Sequence, residues 1–103
     1  MSNKMRRPKI RLSRLRDIGW SYWDPIGLLA DGSTWLGKPF ADEYDSYLVL
    51  AAGMLRRKQA KSEVAQYLTD VEVDHMGMGE NQTAVFRATR TVEAIIDDEQ
   101  LWT

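Results

Sequence analysis

The sequence predicts an all-α protein: a small four-helix bundle with a long loop between helices one and two and a basic N-terminal arm. Three observations carry this. Apolar residues recur at spacings of three and four in four separate segments, the period of one buried helix face. No segment alternates apolar and polar residues over the length of a strand. The breaks between the periodic segments hold helix stoppers, namely Pro25, a glycine-rich stretch over 27–40 and the run Met76-Gly77-Met78-Gly79.

Helix one is expected over 9–23, after Pro8, with Leu12, Leu15, Ile18 or Gly19, and Tyr22 on its buried face. Pro25 ends it, since proline has no N–H and disfavours helical geometry at the residue before it, here Asp24. From Gly27 to Phe40 no period is sustained, so this stretch reads as a connection with one helical turn at most, long enough to suggest a function. Helix two is expected to start near Asp42, where Asp42, Glu43 and Asp45 put negative charge on exposed N–H groups. It ends at Arg56-Arg57-Lys58, where cations meet exposed carbonyls. Its broad stripe of Tyr44, Tyr47, Leu48, Ala51, Met54 and Leu55, widened by Val49 and Ala52, marks it as the central helix. Ser62 is the expected cap of helix three, whose stripe is Val64, Tyr67, Leu68, Val71 and His75. Helix four follows the polar link 80–83 with Val85, Ala88, Val92 and Ile95 or Ile96 inward, and runs to about Glu99, with Trp102 folding back or left loose.

Composition sets the outer limits. A chain of 103 residues makes one domain, and 44% hydrophobic with 28% charged residues is an ordinary globular balance, so the expected division is a flexible basic arm at 1–8 and a single helical domain at 9–103. There is no cysteine, which excludes disulfides, thiolate metal sites and a Cys nucleophile and suits a cytoplasmic setting. The longest apolar run, 47–55, falls well short of the roughly 20 residues that cross a membrane.

The net charge of −1 hides an asymmetry: the first 16 residues carry +7 and the remaining 87 carry −8. An Arg-rich, acid-free start is also the composition of a transit peptide, but here the Leu12, Leu15, Ile18 stripe continues into the body. Arg6, Arg7, Lys9, Arg11, Arg14 and Arg16 are candidate phosphate contacts for a nucleic acid. No base-reading motif accompanies them and the arm holds no aromatic for stacking, so the other reading has it lying against acids such as Asp97, Asp98 and Glu99, or against a second copy of the chain.

The stretch Trp20-Ser21-Tyr22-Trp23-Asp24-Pro25-Ile26-Gly27 carries two readings. In one, Trp20 and Trp23 pack a corner that Asp24 caps. In the other, an aromatic pocket forms with Trp35 and Phe40 of the long loop. Asp42 and Asp45, on one helix face, also read as holders of a divalent ion, although a negatively charged helix start explains both and no EF-hand pattern is present. His75 reads as a core residue, and a single His without Cys or a nucleophile motif assembles no catalytic triad or metal hydrolase. No enzyme activity and no cofactor are therefore expected.

Trp23-Asp24-Pro25-Ile26-Gly27-Leu28, then Asp42-Glu43-Tyr44-Asp45, then Met76-Gly77 make a pattern that resembles a group of small, uncharacterised bacterial helical proteins. Some similar proteins look like immunity proteins beside toxin genes. The resemblance covers about half the chain and implies a small helical domain. Its motif positions Trp23, Asp24, Asp42, Tyr44 and Asp45, with Trp35 from the loop, are the candidate binding residues. The expected function is noncatalytic protein interaction, immunity or regulatory in kind, with a basic protein or a second copy as partner.

Overall fold

In a computed structural model the chain is described over residues 10–29, 32–77 and 82–102. The expected arm at 1–8 lies outside them. Helix α1 spans Leu12–Ile18 and widens into a π-helical turn at Gly19–Trp23; α2 spans Asp45–Arg56; α3 spans Lys61–Asp70 and widens at Val71–His75; α4 spans Gln82–Asp97. These four helices form a small bundle, and among the described residues the one β pairing is an isolated bridge between Ile10 and Trp102. None of these helices is long and apolar enough to cross a membrane.

The bridge explains why α1 starts later than its periodicity suggests. Ile10 pairs with Trp102 and the Arg11 N–H donates to the Leu101 carbonyl at 3.0 Å, so this segment is extended and the helix begins at Leu12. The C-terminal residues are thereby drawn into the core. Leu101 is fully buried, and the Trp102 indole N–H donates to the Ile95 carbonyl at 3.2 Å.

Both π turns re-aim side chains. The Asp24 N–H reaches back five residues to the Gly19 carbonyl, and the Met76 N–H reaches the Val71 carbonyl in the same way. Such a turn holds an extra residue and delays the rotation of the chain by about one position. Trp23 rather than Tyr22 therefore continues the buried face of α1, and Tyr22 is 41% exposed; Leu12, the first residue of the helix and expected on its buried face, is 39% exposed. His75, expected in the core, is exposed, with its ring edge-on to Tyr47 at 6.0 Å. Gly19 lies directly against α2, where a Cβ would overlap Leu48 Cδ1.

The core is built from Leu15, Ile18, Trp20 and Trp23 of α1, Leu48, Ala51 and Ala52 of α2, Val64, Leu68 and Val71 of α3, and Ala88, Val92 and Ile95 of α4, with Tyr44 and Leu101. Val85, assigned inward on α4, is exposed, with Ala84 and Thr91 buried instead, and of the alternatives Ile95 and Ile96 it is Ile95 that enters the core. Val49 of α2 is exposed as well. The central helix is α4, which packs extensively on α3 and on the π turn of α1 and also touches α2.

The starts of α2 and α3 also differ from expectation. Asp42 and Glu43 lie in turns before α2, with Asp45 its first residue, because the stretch 35–45 is a string of tight turns closed by the Lys38, Ala41, Glu43 and Asp45 N–H groups on carbonyls three residues back. Ala60, extended, precedes α3, so Ser62 falls inside the first turn and makes no cap. At the end of α2 the Gln59 N–H bonds the Met54 carbonyl and the Lys58 N–H bonds the Leu55 carbonyl, a Schellman closure with Lys58 at φ 70°.

Glu72, 1% exposed, forms an ion pair with Arg87 of α4 and ties the π turn of α3 to that helix. A buried carboxylate requires such a partner.

Candidate interaction surface

The aromatic corner is an interior structure. Trp20 and Trp23 flank Tyr44, with ring centroids 4.6 and 5.2 Å from it, and the Trp20 indole N–H donates to the Ala41 carbonyl at 3.2 Å. Asp24 adopts φ 27°, a conformation that side chains rarely take, which turns its carboxylate onto the chain that follows. Asp24 accepts the N–H groups of Gly27, Leu28 and Leu29 at 3.0–3.1 Å and the Tyr44 hydroxyl at 2.8 Å. The Tyr44 oxygen in turn accepts the Ile26 N–H at 3.1 Å. Burial, above all, raises the Tyr44 pKa far above the ordinary tyrosine value, and the neighbouring Asp24 carboxylate adds to the effect.

Of the six candidate binding residues, the corner brings together Trp23, Asp24 and Tyr44. Trp23 and Tyr44 are at most 1% exposed and offer a partner no surface. Trp35 is elsewhere: its indole N–H donates to Asp17 at 2.8 Å and its ring lies under the Arg16 guanidinium, 5.5 Å away, so it pins the loop to α1. Asp45 accepts two hydrogen bonds from Arg16, at 2.6 and 3.0 Å, and this contact is the main reason the Arg16 pKa is raised. Asp42 is exposed and outside the helix, so it shares no helix face with Asp45. Among the described residues no three Asp, Glu or His side chains converge in a way that could hold a metal ion.

The six candidate phosphate contacts divide similarly. Arg6, Arg7 and Lys9 lie outside the described residues. Arg14 holds Asp98 through two hydrogen bonds, at 2.8 and 3.1 Å, and Arg16 holds Asp45, while Arg11 is exposed.

An open groove lies between α1 and α4. Arg14 meets Asp98 at one end and Arg90 lies over the Tyr22 ring at 5.6 Å at the other, so the two helices run antiparallel with a groove of about 850 Å³ along them. On α4 the positions 86, 90, 93 and 97 recur at spacings of four, three and four and form one stripe. Phe86 begins it, 60% exposed, and Arg90 is 5.8 Å from that ring as well, so its guanidinium is flanked by two exposed aromatics. Glu93 and Asp97 continue the stripe along the groove, facing Asp17 and Ser21 of α1, with Ile18 and Ala94 also in the lining.

Sequence reasoning placed Tyr22 inside and passed over Phe86, Arg90 and Glu93. A signal existed in the lone aromatic of an otherwise polar stripe on α4, while the exposure of Tyr22 depends on the π turn. No family model, no curated protein and no solved structure matches the chain.

Proposed function

We propose that this chain is a noncatalytic protein-interaction domain of the cytoplasm, immunity or regulatory in kind, and that it engages its partner through the groove between α1 and α4. One observation carries the reading: Tyr22 and Arg90 line that groove, and with Phe86 on the other side of Arg90 they form an exposed aromatic–arginine–aromatic ladder. Tyr, Phe and Arg are the residue types enriched at protein interfaces, and aromatic and Arg anchors dominate binding energy there. An exposed ladder of this kind contributes little to the fold. Its cost in apolar surface shown to water is recovered when a partner covers it.

The test is the doubly substituted chain Tyr22→Ala, Phe86→Ala. Its urea unfolding free energy is expected within about 1 kcal/mol of the parent, because both rings are exposed. Its affinity for a partner recovered from the source cell is expected to fall by about 30-fold or more, the equivalent of roughly 2 kcal/mol for a hot spot. Unchanged affinity in a folded double variant removes the reading.

A further inference from the structure

The polarity of the groove points to the chemistry of its occupant. Resting on the interaction reading above, we infer that the groove takes an extended segment of a partner protein that carries an apolar side chain followed by lysines or arginines. The apolar side chain lies against Tyr22, and the cations lie beside Glu93 and Asp97.

Three features argue for this occupant. The first is charge. The groove is lined by five acids, Asp17, Glu93, Asp97, Asp98 and Glu99, and two cations, Arg14 and Arg90. Arg14 is spent on Asp98, and among the described residues Glu93, Asp97 and Glu99 have no ion-pair partner. The second is direction. Arg90 is held between Tyr22 and Phe86, so the aromatic end of the groove is also its positive end, and an incoming cation is favoured only toward Asp97. The third is length. From Tyr22 back to Arg14 the wall of α1 rises about 12 Å, the span of roughly four extended residues.

The probe is acetyl-Leu-Arg-Lys-Arg-amide titrated into the isotope-labelled full chain, with acetyl-Leu-Glu-Asp-Glu-amide as its acidic counterpart. The basic peptide is expected to shift the backbone amides of Ser21, Tyr22, Glu93 and Asp97, and the acidic one to leave them in place. Binding is expected to weaken about tenfold in Glu93→Gln, Asp97→Asn, and to weaken on raising salt from about 0.05 to about 0.5 M. Both substituted positions are exposed, so the variant keeps its fold.

Shifts confined to other surfaces, equal binding of the acidic peptide, or an undiminished affinity in the Glu93, Asp97 variant would overturn the assignment. A full chain with Lys4, Arg6, Arg7 and Lys9 changed to Gln supplies the remaining control. If it binds the basic peptide tenfold more tightly than the parent, the groove belongs to the chain's own N-terminal segment and the partner assignment fails. The two readings also fail separately. Partner capture that needs Tyr22 and Phe86 but ignores Glu93 and Asp97 leaves the interaction domain standing and removes the basic occupant. Capture that ignores Tyr22 and Phe86 removes the interaction reading, while the peptide titration still reports the groove's own chemistry.

Discussion

Asp24 and Tyr44 act as one unit. The carboxylate organises three successive N–H groups of the turn after α1, and the phenol that donates to it arrives from the residue just before α2. Tyr44→Phe keeps the ring packing and loses both hydrogen bonds of the hydroxyl, which should lower stability by about 1–2 kcal/mol at neutral pH. The pH dependence has a definite sign. Burial raises the folded Tyr44 pKa above its ordinary value of 10.0, so the unfolded chain releases the proton first. The stabilisation is complete below that value and is lost as pH rises through it toward the folded pKa, by about 1.4 kcal/mol per pH unit for one proton. Urea titrations of parent and Tyr44→Phe should therefore differ most near neutrality and converge above about pH 10. A gap that stays constant to higher pH would show that Tyr44 is not the group responsible.

At the scale of elements, the four helices were readable from the sequence because each carries enough apolar residues at the helical period to declare one buried face. Leu15, Ile18, Leu48, Leu68, Ala88, Val92 and Ile95 are all in the core. What could not be read is tied to backbone departures with no local spelling. The π turns at Gly19–Trp23 and Val71–His75 moved Tyr22 and His75 outward, and no proline inside either of them marks it in the sequence. Glu72 occupies a buried position on a regular stripe, but its charge argues against burial until Arg87, 15 residues later, is known to meet it. The candidate site was missed for a related reason: its two walls, α1 and α4, are distant in sequence. Trp23, Asp24 and Tyr44 do form the sequence-expected corner, yet they serve packing.

The end of α2 yields a prediction of its own. Lys58 occupies the left-handed position of the Schellman closure, where a side chain costs roughly 1 kcal/mol or more and glycine fits without strain. Lys58 is exposed, so its side chain gives little back. Lys58→Gly should stabilise the domain by about 0.5–1 kcal/mol, visible as a rise in Tm of several degrees for a chain of this size. A lower Tm would mean that the lysine makes a contact worth more than the strain it bears.

For the molecule as a whole, the closing contact is between the start of α1 and residues 101–102. Leu101→Ala removes a fully buried side chain and should cost about 2–5 kcal/mol. Hydrogen exchange of the Arg11 amide, which donates to the Leu101 carbonyl, should accelerate with it, whereas a side chain with no role in closure would leave that amide protected.

That closure also imposes an order on the life of the chain. Arg14 and Asp98, which join across it, are separated by 84 positions. During synthesis at roughly 5–20 residues per second, several seconds pass after α1 is made before its partners on α4 exist. Throughout that interval Leu15, Ile18 and Trp23 have no finished core to enter. Helix α1 is completed by Leu101, which is made after all four helices of the bundle, so its buried face has no closed core to enter until that residue has been synthesised.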